Sequence, residues 1–392
     1  MSIRLGIFVS HPIMYHVPIW RYLSSFPELQ VKVHFLSDHT IRGVMDPGFG
    51  VPIAWDTPLL EGYEHSFVSH TADIRKPRSF VLDDPMALLR EGQFDWILVA
   101  GYSYPFERQL VRAARKLGIK VIMRGEFTDL KRRNYPWWKR CLRSVYLRRL
   151  YRKVDVFACI GFQARQHLRA HGVAQGDIFF SPYSVDTEFF EEQKSTFSRE
   201  ETRAKLGLSE DTFVFLYSGK LIPRKQVKVL LEALAQMTSL EKTALLILGD
   251  GEEREDILKQ GRELLGDRFL FQGFVNQSLL GQYFLAADAF VLPSDYEAWG
   301  LVVNEAMQFG LPLVLSDMIG SHKDLLIPGE TGFLFETGNV ASLVQSMEQM
   351  ISSPERARAM GQAALKLVKS YSTEASAQGV REAILTKGRS SC

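Results

Sequence analysis

Short apolar runs closed by Gly, Pro or a polar residue alternate with helix-period segments along the whole chain, and no other feature narrows the fold so far. In the first half the runs are "LGIFVS", "VKVHFLS", "WILVAG", "KVIMRG" and "VDVFACIG"; in the second they are "TFVFLYSG", "TALLILGDG", "RFLFQGF", "AFVLPS" and "LPLVLSD". Runs of this kind joined through helices build parallel sheets covered on both faces. Each set suffices for one Rossmann-like sheet, and 392 residues exceed the roughly 100 to 200 of a usual domain. The expected class is α/β, with two doubly wound parallel-sheet domains facing a cleft. The stretch "DTEFFEEQKSTFSREETRAKLGLSED" between the sets is charged and poor in long apolar runs, so it reads as a linker, with the boundary at residue 195. Such sheets bind ligands at the carboxyl ends of their strands, so functional motifs are expected directly after strands.

Composition excludes several classes. Hydrophobic residues at 46% with 23% charged residues rule out a largely disordered chain, and a net charge of +2 argues against a nucleic-acid partner. Cys141, Cys159 and Cys392 are scattered without metal-ligand spacing, which fits a reducing compartment. At the N-terminus His11, Pro12 and His16 stand where a signal peptide would continue apolar. No apolar run nears the roughly 18 residues that span a bilayer. The expectation is a cytoplasmic protein whose contact with a membrane, if made, is peripheral and on its inner face.

After "TFVFLYSG" comes "GKLIPRKQVKVLLEAL", where Gly219, Lys220 and Lys225 precede or open an amphipathic helix. Glycine allows close backbone approach, and two ammonium groups at a helix N-terminus add charge where the macrodipole already favours an anion; a diphosphate suits it. Gly249 opens "GDGEERE" after the next run, with Arg254 where a dinucleotide fingerprint would have its last glycine, so that fingerprint is absent. "PSDYEAWGLVVNEAM" then carries Glu297 on a turn and Glu305 inside a helix expected from Leu301, on a buried face shared with Leu301, Val302 and Phe309. A buried carboxylate needs donors, and vicinal sugar hydroxyls supply them. Taken singly, Glu297 is also what a helix cap uses and Glu305 what a structural ion pair uses.

"GKLIPRK", "LGDGEERE", "AADAFVLPSDYEAWGLVVNEAMQFGLPLV" and "GETGFLF" together resemble the donor-binding half of the retaining glycosyltransferases of family 4, which have the GT-B fold. The likeness extends to "SPYSVDTEFF" and "SHPIMYHVPIW", though the C-terminal half carries the specific motifs. It implies a GT-B architecture, with an acceptor-binding domain over 1–195, a donor-binding domain over 196–371 and a final helix, 372–392, packing back on the first domain. It implies that Lys220, where arginine is usual, and Lys225 hold the donor diphosphate, and that Glu297 contacts the transferred sugar. Glu305 would accept from the ribose, Phe274 and Val275 would meet the base, and the backbone of Ala298, Trp299, Gly300 and Leu301 would meet sugar or diphosphate. The implied co-substrate is a nucleotide sugar such as a UDP-sugar, with no cofactor and no metal. The implied acceptor is a saccharide or lipid-linked molecule of cell-surface polysaccharide or lipopolysaccharide synthesis.

The chain departs from the family where a histidine often follows the run "WILVAG": here stand Tyr102 and Ser103. His11, His16, Arg124 and Glu126, also after strands, are the further acceptor-side candidates. The family's "NG" before Asp186 is replaced by Tyr183 and Ser184. From Lys131 to Lys153 the chain has many basic residues, no acidic one and the pair Trp137–Trp138, which suits either an anionic membrane surface or a solvated basic helix packed on the first sheet. A GT-B sugar-nucleotide epimerase and a non-catalytic nucleotide-sugar binding protein are the alternatives to a transferase.

Overall fold

A computed structural model describes residues 2–43, 55–68, 76–132 and 135–388; most of the loop "HTIRGVMDPGFGVPIAWD" lies outside them. The chain divides into two compact units. One comprises the N-terminal part to Ser184 and the segment from Ser372; the other comprises Val185–Tyr371 with a short stretch ending at Asp56.

The first unit holds β1 (Ile3–Val9), β2 (Leu29–Phe35), β3 (Glu64–Phe67), β4 (Trp96–Val99), β5 (Lys120–Gly125), β6 (Val156–Cys159) and β7 (Ile178–Phe180), in the order β3-β2-β1-β4-β5-β6-β7. The second holds β8 (Phe213–Ser218), β9 (Thr243–Leu248), β10 (Phe269–Gly273), β11 (Ala289–Leu292), β12 (Leu313–Ser316) and β13 (Gly332–Phe335), in the order β10-β9-β8-β11-β12-β13. Every pairing is parallel. Both sheets begin in the middle and grow outward in two directions, which creates a switch point between β1 and β4 and another between β8 and β11. Strands β8 and β9 are buried at every residue, which is why they read as unbroken apolar runs. The strands the pattern does not announce, β3, β7 and β13, are edge strands of three or four residues, two of them partly exposed along most of their length.

The segment expected to be a linker is instead two helices, Thr187–Thr196 and Arg199–Lys205. Asp186 and Ser198 cap them, accepting from the Phe189 and Glu201 amides at 3.2 Å. Phe190 packs against Phe309 with ring centroids 5.6 Å apart, and Gln193 donates to the Gln277 carbonyl at 2.9 Å, which ties the first helix to the second unit. Charge misled the sequence reading because Arg203 is buried, donating at 2.6 Å to the Thr212 carbonyl and at 2.8 Å to that of Ala286.

The final helix, Thr373–Gly388, belongs to the first unit: Ala377, Val380, Ala383 and Ile384 are fully buried beside Leu5, Ile7, Trp20 and Val31. At Gly379 an added Cβ would lie 1.8 Å from the Phe180 carbonyl oxygen, so only glycine permits this closeness to β7. No helix among the described residues is long and apolar enough to cross a membrane.

Candidate functional site

The carboxyl ends of β8 and β9 meet through their backbones. The Gly219 amide donates to the Leu248 carbonyl at 3.0 Å and the Leu221 amide to that of Asp250 at 2.9 Å. Gly249 sits at φ +150°, with room for no side chain, since a Cβ there would be 1.9 Å from the Gly219 oxygen. Arg254, in the place of a fingerprint glycine, pairs with Asp250 at 2.6 Å and holds this turn. The Tyr217 hydroxyl donates to the Lys220 carbonyl at 2.8 Å, fixing the backbone that leads to the short turn Pro223–Lys225 and the helix Val227–Ala235. Gln226, between them, is left-handed at φ 52°, a strained conformation for a non-glycine residue.

Across the switch point the loop after β11 answers this one. The Asp295 amide donates to the Arg224 carbonyl at 2.9 Å, and Glu297 is clipped to the loop after β12 by its own amide to Met318 (3.1 Å) and by the Gly320 amide to its carbonyl (3.0 Å). So held, the Glu297 carboxylate accepts from Lys225 Nζ, from Arg224 Nη1 at 3.1 Å and from Ser294 Oγ at 3.0 Å. Glu297 and Lys225 are each 9% exposed. Burial pushes the carboxyl up, but the charges and hydrogen bonds of Lys225 and Arg224 outweigh it and hold Glu297 below the usual carboxylate range. Burial also draws the Lys225 ammonium down, with Glu297 as the main opposing influence. Two basic side chains thus converge on one carboxylate.

Gly219, Lys220, Lys225, Gly249 and Glu297 therefore gather at adjacent strand ends, with Phe274 and Val275 following β10. Phe274 faces Trp55 with ring centroids 6.5 Å apart; Trp55 comes from a loop without a readable pattern. Glu305 is 2% exposed in the helix Leu301–Gln308, which starts after the left-handed Gly300. That helix is not one-sided as expected: Val303 to Gln308 are all buried, whereas Leu301, Val302 and Phe309 are only half-buried. Trp299 is a core side chain, donating to Asn304 at 2.9 Å and stacking near Tyr371, so at Ala298 to Leu301 the backbone is what remains for a ligand. Arg224 and Ser294 were missed by sequence reasoning, although Arg224 adjoins Lys225 and Ser294 stands three residues before Glu297.

In the first unit the candidates separate into two groups. His16 lies beside Tyr183, ring centroids 6.1 Å apart, and the Arg124 guanidinium lies over the Tyr183 ring, 5.0 Å from its centre. Burial, then the charges of Arg124 and His11, lower the His16 pKa to about 3, so its imidazole is neutral; its Nδ1 is buried without a partner. Burial, then the Glu126 charge, raises the Tyr183 phenol. Arg124 itself is buried and donates to Ser181 (3.1 Å), the Pro182 carbonyl (3.1 Å) and Ser376 (3.0 Å), so it locks the final helix in place. His11 contacts Ser10 at 2.9 Å and packs on His39.

Tyr102 belongs to the second group: its hydroxyl accepts from Arg143 at 2.8 Å, and Ser103 is exposed beside it. Arg143 also pairs with Asp129 at 3.0 Å; Asp129 meets His167 Nδ1 at 2.7 Å, and His167 Nε2 meets the Tyr151 hydroxyl at 2.8 Å. Asp129, His167 and His171 have the proximity of metal ligands, but hydrogen bonds occupy both nitrogens of His167 and hold His171 Nδ1 on the His167 carbonyl at 2.8 Å.

Residues 198–367, which contain the whole Lys225–Glu297 arrangement, match the family model "Glycosyl transferases group 1". That model covers 170 of the 392 residues, all of them in the second unit. The chain is 28% identical over 222 residues to alpha-D-kanosaminyltransferase of Streptomyces kanamyceticus, covering 56% of this chain and 57% of the relative. It is 31% identical over 147 residues to lipopolysaccharide 1,6-galactosyltransferase of Escherichia coli K12, covering 36% of this chain and 40% of the relative. These matches span about half the length of the curated relatives. Among solved structures, Anabaena HepE in complex with UDP superposes with a TM-score of 0.75 over 98% of this chain and all of that one, at 16% identity. That likeness shows the fold: two parallel-sheet, Rossmann-like units of the GT-B class, with the matched residues 198–367 forming most of the second.

Proposed function

We propose that this protein is a retaining, metal-independent glycosyltransferase of family 4 that moves a sugar from a nucleotide sugar to a saccharide or lipid-linked acceptor in cell-surface polysaccharide or lipopolysaccharide synthesis. The observation that carries this reading is the convergence of Lys225 and Arg224 on the buried Glu297 at the β8/β11 switch point. A donor diphosphate takes over Lys225, Lys220 and Arg224, which leaves the Glu297 carboxylate to accept from hydroxyls of the sugar. Glu305 accepts from the ribose, Phe274 and Val275 meet the base, and the amides from Ala298 to Leu301 line the sugar and diphosphate. The bond from the anomeric carbon to the diphosphate oxygen breaks. The acceptor oxygen bonds to that carbon on the same face, and its proton passes to the departing phosphate. Cations already in place meet the charge that develops on the leaving group, so neither a divalent ion nor a protein nucleophile is required. The first unit supplies the acceptor-side groups, His11, His16, Tyr102, Ser103 and Glu126.

A UDP-sugar is the first donor to test, supported by the UDP-bound HepE structure, and the galactosyltransferase relative supports a lipopolysaccharide-type acceptor. The test is a binding and turnover screen of nucleotide sugars with and without EDTA, on the wild type, Glu297→Ala and Lys225→Ala. One donor is expected to bind and to be slowly hydrolysed regardless of chelation, with both variants losing turnover. Absence of any donor binding, or activity removed by EDTA, overturns the reading or its metal-independent mechanism.

A further inference from the structure

The helix Trp137–Tyr151 of the first unit has two faces with opposite fates. Its inward face is fully engaged. Leu147, Leu150 and Tyr151 are buried, Arg143 reaches Asp129 and Tyr102, and the Tyr151 hydroxyl meets His167. Its outward face carries Trp137, Trp138, Leu142, Val145 and Tyr146, which successive turns bring onto one side with the exposed Cys141. Their exposures are 75%, 48%, 65%, 49% and 46%. Of thirteen exposed large hydrophobic residues among those described, six fall between Tyr135 and Tyr146, while the rest are scattered along the chain. Scattered exposure is ordinary; a contiguous apolar strip on one helix marks a partner.

Charge says which partner. The same outward side continues, toward the C-terminus of the helix, into Arg148, Arg149, Arg152 and Lys153, all exposed, with exposed Lys139 and Arg140 near its start and no acidic residue from 131 to 153. Lys139 Nζ lies 5.3 Å from the Trp138 ring centre, an aromatic and a cation presented together. Tryptophan and tyrosine beside aliphatic side chains, followed by a cluster of cations, match the two layers of an anionic bilayer surface: acyl boundary below, phosphate headgroups above. Nucleic acid would use the cations but gain nothing from exposed Leu142 and Val145.

We propose that the outward face of the helix Trp137–Tyr151 docks the protein on an anionic lipid bilayer, with the apolar strip entering the headgroup boundary and the arginine cluster meeting lipid phosphates. This inference goes beyond the donor reading and stands on different residues. It has a consequence for the first unit, because Arg143 on the inward face grips the Tyr102 hydroxyl at the end of β4: docking holds that acceptor-side loop next to the lipid surface.

The test is co-sedimentation of the full chain with phosphatidylcholine vesicles, with and without phosphatidylglycerol, alongside tryptophan emission. The variants are Trp137→Ser with Leu142→Ser, and Arg148→Glu with Arg149→Glu, each checked for an unchanged thermal transition. The wild type is expected to bind only the phosphatidylglycerol vesicles, with a blue shift in emission and weakening at high salt. Each double variant weakens binding about tenfold or more. Donor hydrolysis in the absence of vesicles stays unchanged in both. The proposal is overturned if wild type does not bind the anionic vesicles or if folded variants bind them equally well. It is also overturned if the variants instead abolish self-association or binding to double-stranded RNA while vesicle binding is absent.

Discussion

The two sheets share one winding pattern, yet the strand ends at their switch points are put to different uses. In the second unit, cations and a carboxylate from loops on either side of β8/β11 converge, with Lys225 and Arg224 both paired to Glu297. In the first unit the buried cation is committed to structure: Arg124 binds Ser181, Pro182 and Ser376 and so closes the chain's last helix onto the sheet. What remains there is mainly aromatic, with His16 beside Tyr183 and Tyr102 stacked on Phe127, and its charged groups are the Arg143–Asp129 pair at Tyr102 and Glu126 near Tyr183. One winding pattern thus yields an electrostatic site and an aromatic one, because what decides is whether a strand-end cation finds a fixed protein partner or an exchangeable one.

Substitution sharpens or breaks this contrast. The largest effect belongs to Arg124→Ala, which removes the donor shared by Ser181, the Pro182 carbonyl and Ser376 and leaves only the Ser181–Ser376 contact between them: a loss of about 3–5 kcal/mol in the stability of the first unit, read by denaturant unfolding, with nucleotide-sugar affinity unaltered by calorimetry. If donor affinity falls instead, the division of roles is wrong. Lys225→Ala acts the other way round, lowering turnover by about 100- to 1000-fold while the protein remains folded. Arg224→Ala removes the cation shared with Glu297, and donor affinity is expected to drop about tenfold, or about 1.4 kcal/mol. An unchanged affinity would assign Arg224 to holding the loop after β11 alone.

The smallest effect is one of pH. The folded state holds the His16 pKa at about 3 against an ordinary 6.5, so between these values the unfolded chain binds the extra proton. Stability of the first unit therefore declines as pH falls from 6.5 toward 3. His16→Gln flattens that part of the curve by about 1 kcal/mol, the ring being partly rather than wholly shielded from solvent. A wild-type and variant pair with parallel pH profiles would remove His16 as a buried neutral group.

Much of this was legible in the chain itself. Among the described residues the apolar runs place ten of thirteen strands, since an alternation of buried strand and helix is a local property that each segment displays alone. Lys225 and Glu297 stand out for the same reason: each directly follows a run that had to be a strand, in a pattern resembling a known family. Other features were hidden by the same local view. A charged stretch looked like a linker because sequence shows the charge of Arg203 but not the carbonyl groups that receive it.

Tertiary structure alone decided the partners. Lys225 and Glu297 are 72 positions apart and meet only because β11 inserts beside β8. Arg124 and Ser376 are 252 apart and meet because the final helix returns to the first sheet. Periodicity reports which face of an element is buried, but a charge acquires its role from whatever the topology brings within about 3 Å of it. That is why the strands could be read from the chain, whereas the difference between Lys225, paired with a carboxylate from another loop, and Arg124, tied to the final helix, could not.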